Sequence, residues 1–334
     1  MQALNVPYTI TSNYSTLFNA AALQMDDQYL DSVVSLANNK GTWPQRVIAV
    51  NSQTDYSSKY FTLPPKKQLA HAYTGVERVH SELGLSGKNI KIGFLDSGLD
   101  YTHPAFGGCF GPGCRVQFGF DFVGDNYTGY NVPQPDDDPM DPCNVHGTHV
   151  AGIATGNHGE FQGVAPHAVI GAYRVMGCSL KTDTTVLLAG LEKAYLDGMD
   201  IINLSVGAGS GWANSFEAVA VENAFQLGRY IVTGAGNNGF DSLWSITKPS
   251  ASPHSIAVGA NDALVFDSGF AQPRVSVFSA WGPSPDGNLK PDIVAPGSGI
   301  YSTIPQSMGS YGVGDGTSMA APYISGSVAL LLEA

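Results

Sequence analysis

The sequence predicts an α/β protein, with a mainly parallel sheet between helices and a small α+β segment in front of it. Apolar, β-branched runs recur at residues 90–95, 169–175, 201–204, 230–233, 255–258 and 275–278. Their hydrophobicity is continuous rather than alternating, which marks strands covered on both faces and hence a parallel sheet. Helical periodicity fills several of the intervals, at 185–196 and 215–226. Several runs end in short loops rich in Gly, Asp and Asn, and in such sheets chemistry gathers beyond the carboxyl ends of the strands.

Taken in order, residues 1–52 form the α+β segment: 18–34 combines a short strand with an amphipathic helix, and 46–50 reads as a strand. A polar, Ser-rich stretch with Pro64-Pro65 and Lys66-Lys67 follows, and residues 53–67 are assigned as a linker. The main domain is assigned to 68–334.

Composition bounds the partners. Among 334 residues, 43% are hydrophobic, enough for one large core or two modest ones. The net charge of -12, without a Lys/Arg cluster, argues against nucleic acid and anionic membrane. No apolar run approaches the ~18 residues needed to span a bilayer.

Four cysteines allow three pairings. Cys109 and Cys114 flank the turn-forming Phe-Gly-Pro-Gly, so a local disulfide is sterically easy, leaving Cys143 with Cys178. Four free thiols in a cytosolic protein are the alternative, whereas zinc is disfavoured because there is no C-x₂-C pair. Sequons at Asn13 and Asn126 fit a secreted glycoprotein; a third at Asn203 falls in a buried strand. Residues 1–10 lack the basic start and apolar core of a signal peptide, so an exported protein is expected to begin upstream of this sequence.

Chemistry-bearing residues are spread along the chain. Asp96 ends the run 90–95, where the structural alternative is a turn or cap. His146 opens an apolar helix with His149 three residues on; His146 suits a general base, and His149 a core or supporting position. A metal pair lacks H-E-x-x-H and a third ligand. Ser205-Val206-Gly207 exposes backbone that an extended peptide can pair with. Asn237 follows Ala235-Gly236 at the end of another strand, as a turn residue or as a neutral donor to an oxyanion. Ser318 begins a buried helix, either as its N-cap or as a nucleophile at the positive end of the helix dipole.

Asp96-Ser97-Gly98, His146-Gly147-Thr148-His149-Val150-Ala151-Gly152, Gly236-Asn237 and Gly316-Thr317-Ser318-Met319-Ala320-Ala321-Pro322, in that order, resemble the motifs of the subtilisin-like serine proteases. Residues 290–297 match a further signature of the family. The resemblance covers roughly residues 68–334. It implies a three-layer subtilisin-like fold and a serine endopeptidase with Ser318 as nucleophile, His146 as general base and Asp96 orienting the imidazole. It further implies Asn237 as oxyanion donor, with Ser205, Val206, Gly207, Ala235, Gly236 and Thr247 lining the substrate cleft. No acidic residue is expected to select a basic side chain there. Residues 1–52 resemble part of the inhibitory propeptide of these enzymes, cleaved in the linker. The implied partners are an extended polypeptide substrate and the chain's own propeptide, and the implied state is a secreted monomer.

The sequence departs from the family in three places. The ten residues 153–162 contain a single acid, Glu160, so the family's calcium loop is not expected there, and no bound metal is expected. Residues 261–274 are too few for a protease-associated domain. Sixteen residues follow Ser318, so the domain is expected to be short at its carboxyl end, exposing an apolar helix face. The alternative function is a catalytically silent, zymogen-like chain that binds peptide or propeptide without turnover. A lipase of the α/β-hydrolase type needs G-x-S-x-G and the order Ser, Asp, His, and has neither.

Overall fold

The computed structural model describes residues 6–49, 69–262, 265–266, 269–270 and 273–334. The expected linker, 53–67, lies outside them, as does Val50 at the end of the expected strand 46–50.

In the amino-terminal segment β1 (Tyr8–Tyr14) and β2 (Ala20–Met25) form an antiparallel hairpin, followed by α1 (Leu30–Val34) and β3 (Val47–Ala49). The main domain contains β4 (Lys91–Asp96), β5 (Val116–Asp121), α2 (His146–Thr155), β6 (Val169–Arg174), β7 (Lys181–Asp183) and α3 (Thr184–Leu196). It continues through β8 (Ile201–Leu204), α4 (Phe216–Gln226), β9 (Tyr230–Gly234), β10 (Ile256–Asp262), β11 (Arg274–Val275), β12 (Ile293–Ser298) and α5 (Thr317–Glu333).

Among the described residues, eight of these strands make one sheet in the order β11-β10-β9-β8-β4-β6-β5, with β12 also beside β10. All neighbours run parallel except β11, which is antiparallel to β10. The register between β4 and β6 places Asp96 opposite Arg174 at the carboxyl ends of the two strands.

The continuous hydrophobicity of the strands is explained by a core on each side. Ile92 and Phe94 face one core with Val150, Ile153, Met319 and Ala320, from α2 and α5. Leu95, Ile202 and Leu204 face the other with Leu187, Leu188, Leu191 and Val221, from α3 and α4. Each fully buried side chain of this size contributes about 1.5–3 kcal/mol. Asp183 caps α3, accepting from the N–H groups of Thr185 at 2.6 Å and Val186 at 3.1 Å, a device that stabilises by about 1 kcal/mol.

The amino-terminal segment docks on the outer face of α3 and α4. Tyr14, Leu17 and Ile48 are buried in the second core. Glu192 Oε1 accepts from the N–H groups of Thr16 and Leu17, each at 2.9 Å, and Asn223 Nδ2 donates to the Leu17 carbonyl at 2.8 Å. The Phe18 ring stacks on Phe216 at 5.3 Å. β3 pairs antiparallel with β7.

Two expectations are corrected. The expected strand 275–278 is shorter: β11 ends at Val275, and the chain then turns, the Ser279 N–H donating to the Ser276 carbonyl at 2.9 Å. The N-cap role that Ser318 offers in the sequence falls instead to Gly316, and α5 has no side-chain cap bond. Both disulfides pair as expected: Cys109 with Cys114, Cα atoms 5.7 Å apart, and Cys143 with Cys178, 5.6 Å apart. Asn13 and Asn126 are exposed, whereas Asn203 is buried and accepts from Ser325 Oγ at 2.9 Å. No helix among the described residues is long and apolar enough to cross a membrane.

Candidate active site

Asp96 ends β4, and His146 opens α2 at the same end of the sheet. His146 Nδ1 lies 2.7 Å from Asp96 Oδ1, and both side chains are buried. This close approach needs small residues: a Cβ on Gly147 would stand 2.1 Å from the Gly98 carbonyl oxygen. The turn between them is fastened by Ser97, whose Oγ accepts from the Gly147 N–H at 3.0 Å and donates to Asp141 Oδ2 at 2.5 Å. Burial pushes the Asp141 carboxyl up to about 6, even though Ser97 and the N–H groups of Asn144 and Cys143 favour its ionised form.

Sequence reasoning missed two of these supports. Arg174 Nε donates to the Ser97 carbonyl at 3.0 Å, and its Nη1 pairs with Asp121 and Asp125 at 2.9 and 2.8 Å. Arg174 and Asp141 lie outside every motif; strand register brings Arg174 to the site, and the loop before α2 brings Asp141. His149 is the core histidine expected: it is fully buried, with Nε2 3.2 Å from the Gly312 carbonyl, and burial pushes it down to about 3.

Ser318 lies at the second residue of α5. Its Oγ donates to the Ser205 carbonyl at 3.2 Å, not to the imidazole as a triad would require. His146 Nε2 is buried and has no hydrogen-bond partner among the described residues. A nitrogen in that state is costly unless some hydroxyl or substrate reaches it.

Asn237 is held by its oxygen. Asn237 Oδ1 accepts from the Thr317 N–H at 2.8 Å and the Thr317 hydroxyl at 3.0 Å. The amide nitrogen is thereby turned toward Gly316, where a Cβ would stand 3.3 Å from Nδ2. Gly316, at φ 151°, takes a conformation that only glycine adopts without strain.

Ser205, Val206, Gly207, Gly236, Asn237 and Thr247 line a cavity of about 200 Å³ beside Ser318. Ala235 does not line it; it lies behind the wall, where its carbonyl accepts from Thr247 N at 2.9 Å and Thr247 Oγ1 at 3.1 Å. Asn238 and Asp241 also reach the lining. Asp241, an acid, thus stands in the lining, where no acidic residue is expected from the sequence to select a basic side chain. Thus Asp96 and His146 form one pair, and the remaining site residues except Ala235 line one cavity, while no hydrogen bond among the described residues joins the two groups.

For a metal, the described residues bring together Asp125, Cys143 and Cys178. The two sulfurs are bonded to each other, so neither is available as a thiolate ligand. Glu160, the acid of the segment 153–162, is exposed.

The sequence profile of the subtilase family matches residues 87–334. The minor extracellular protease Vpr of Bacillus subtilis (strain 168) is 31% identical over 257 residues, covering 75% of this chain and 30% of that protein. The subtilisin of Bacillus pumilus is 33% identical over 258 residues, covering 76% of this chain and 80% of that protein. Among solved structures, a cold adapted subtilisin-like serine proteinase superposes with a TM-score of 0.56 at 29% identity, covering 75% of this chain and 77% of that one.

Proposed function

The chain belongs to the subtilase family, and on that premise we propose that it is a serine endopeptidase acting through Asp96, His146 and Ser318 by way of an acyl-enzyme. The observation that carries the reading is the buried Asp96–His146 pair at 2.7 Å, which leaves the far imidazole nitrogen without a partner among the described residues. The reading requires that Ser318 Oγ leave the Ser205 carbonyl, to which it donates at 3.2 Å, and take His146 Nε2 as its acceptor when substrate binds. Hydrogen bonds of this kind are often unformed in substrate-free sites.

In the proposed reaction Ser318 Oγ attacks the peptide carbonyl, and His146 takes its proton and then gives it to the leaving amine. Asp96 holds the Nδ1–H tautomer and stabilises the imidazolium. Asn237 Nδ2 and the Ser318 N–H receive the oxyanion, and Thr317 keeps the amide the right way round. Extended polypeptide is the substrate class, with backbone pairing at Ser205–Gly207.

A latent form of the same enzyme has its own support. The amino-terminal segment buries Tyr14, Leu17 and Ile48 on the main domain, and β3 pairs with β7. We read residues 1–52 as part of an inhibitory propeptide, 53–67 as the segment cut on activation, and 68–334 as the peptidase domain. The two disulfides and the exposed sequons at Asn13 and Asn126 support an extracellular glycoprotein. A monomer without a resident metal completes the proposal.

Hydrolysis of an unfolded protein by the full chain, compared with Ser318→Ala, tests the reading. Turnover lost in the variant supports catalysis; equal turnover in both rejects it.

A further inference from the structure

We propose that Asp241 makes the cavity beside Ser318 select a lysine or arginine side chain at the residue whose carbonyl is attacked. The inference rests on the endopeptidase reading and adds a substrate class to it.

The charge inventory of the cavity carries the argument. Its lining consists of glycines, hydroxyls, amides, Val206, Ala208 and one ionisable side chain, Asp241, with no Lys, Arg or His. No ion pair engages Asp241 among the described residues. Among the described residues its side chain has one hydrogen bond, a long one from Asn238 Nδ2 at 3.5 Å. The other end of that amide also faces the cavity wall: Asn238 Oδ1 lies 2.8 Å from where a Cβ on Gly236 would be. The lining thus offers a carboxylate and an amide oxygen as acceptors, groups that the N–H donors of a cationic side chain satisfy.

The position of the carboxylate is fixed by backbone. Asp241 ends the short 3₁₀ turn Gly239–Asp241, whose Gly239 N–H donates to the Phe278 carbonyl at 2.8 Å and whose Asp241 N–H donates to the Asn238 carbonyl at 2.9 Å. Asp241 is solvent-exposed, so it stands at the mouth of the cavity. A lysine or arginine stem can lie along the glycine-rich wall while its charged end stays partly hydrated. A leucine in the same place leaves both acceptors to water and gains little from a polar wall. An aspartate or glutamate meets a like charge.

The test uses the full chain and a set of peptides identical except for Lys, Arg, Leu or Glu at the cleaved position. Because exposed ion pairs are weak, the expected change is modest: Asp241→Asn lowers the Lys-to-Leu ratio of kcat/KM about three- to fivefold. Asp241→Lys raises the Glu-to-Leu ratio, and both effects shrink as salt is added. Ratios that do not move in either variant overturn the proposal. If no peptide is turned over, the endopeptidase reading fails instead, and equilibrium binding of the same peptides to the full chain still decides this one. Tighter binding of the Lys peptide that is lost in Asp241→Asn supports it; equal or absent binding of the Lys peptide overturns it.

Discussion

Ser205 and Ser318 hydrogen-bond to each other in both directions. Ser318 Oγ donates to the Ser205 carbonyl at 3.2 Å, and Ser205 Oγ donates to the Ser318 carbonyl at 3.0 Å. The second bond exists because of Pro322. In a regular helix the residue four places on donates to the Ser318 carbonyl, but proline has no N–H, so that buried oxygen needs another donor.

Ser205→Ala is therefore expected to destabilise the protein by about 1–3 kcal/mol, the cost of a buried acceptor left unsatisfied. Pro322→Ala restores a helical donor to the same oxygen. The double variant is expected to lose less than the sum of the single losses, as read by a denaturant double-mutant cycle. Strict additivity would show that the two residues do not share that carbonyl.

The Asn237–Thr317 contact makes a second prediction. Asn237→Ala is expected to lower kcat by roughly 10²–10³ with little change in KM, a magnitude known from subtilisin. Thr317→Val, which keeps the backbone bond at 2.8 Å but removes the hydroxyl bond at 3.0 Å, is expected to lower kcat by a smaller factor. Peptide kinetics check both, and a change confined to KM would remove Asn237 from the transition state.

Acid should destabilise the fold through His149. Burial lowers its pKa from 6.5 to about 3, so the folded protein keeps it neutral while the unfolded chain takes up a proton below about 6.5. The stability it contributes is thus lost as pH falls from about 6.5 toward 3, by about 2–3 kcal/mol at pH ~4.5. The drop in Tm between pH ~7 and ~4.5 is expected to be larger in wild type than in His149→Gln; equal drops would assign the acid sensitivity elsewhere.

The two disulfides should differ in worth. Cys143–Cys178 closes a separation of 35 residues and Cys109–Cys114 one of 5. On chain entropy, replacing the first pair by serines costs about 4 kcal/mol and the second about 2. Guanidinium unfolding of the two double-serine variants measures the order, and a reversed order would mean that unfolded-state entropy is not what these bridges act on.

Much of this was legible in the sequence, and the remainder was not for physical reasons. Continuous apolar runs marked β4, β6, β8 and β9, because strands covered on both faces have no polar alternation to confuse with loops. β5 was missed: Val116–Asp121 carries Gln117 and Gly119, and its burial varies along its length, as befits an edge. The hairpin of Ile300–Thr303 with Tyr311–Gly314 was missed as well, its second strand being half glycine. Short motifs singled out Asp96, His146, Asn237 and Ser318 before any fold was known. The reciprocal bonds of Ser205, the Arg174 clamp and the placement of Asp241 depend on register and turn geometry, which no local pattern encodes.

The most direct measurement is the intact mass of the folded full chain after treatment with a fluorophosphonate. The account predicts one adduct per chain, mapped to Ser318, absent in Ser318→Ala and strongly slowed in His146→Ala. A folded chain that stays unlabelled, or that carries its adduct on another residue, would contradict it.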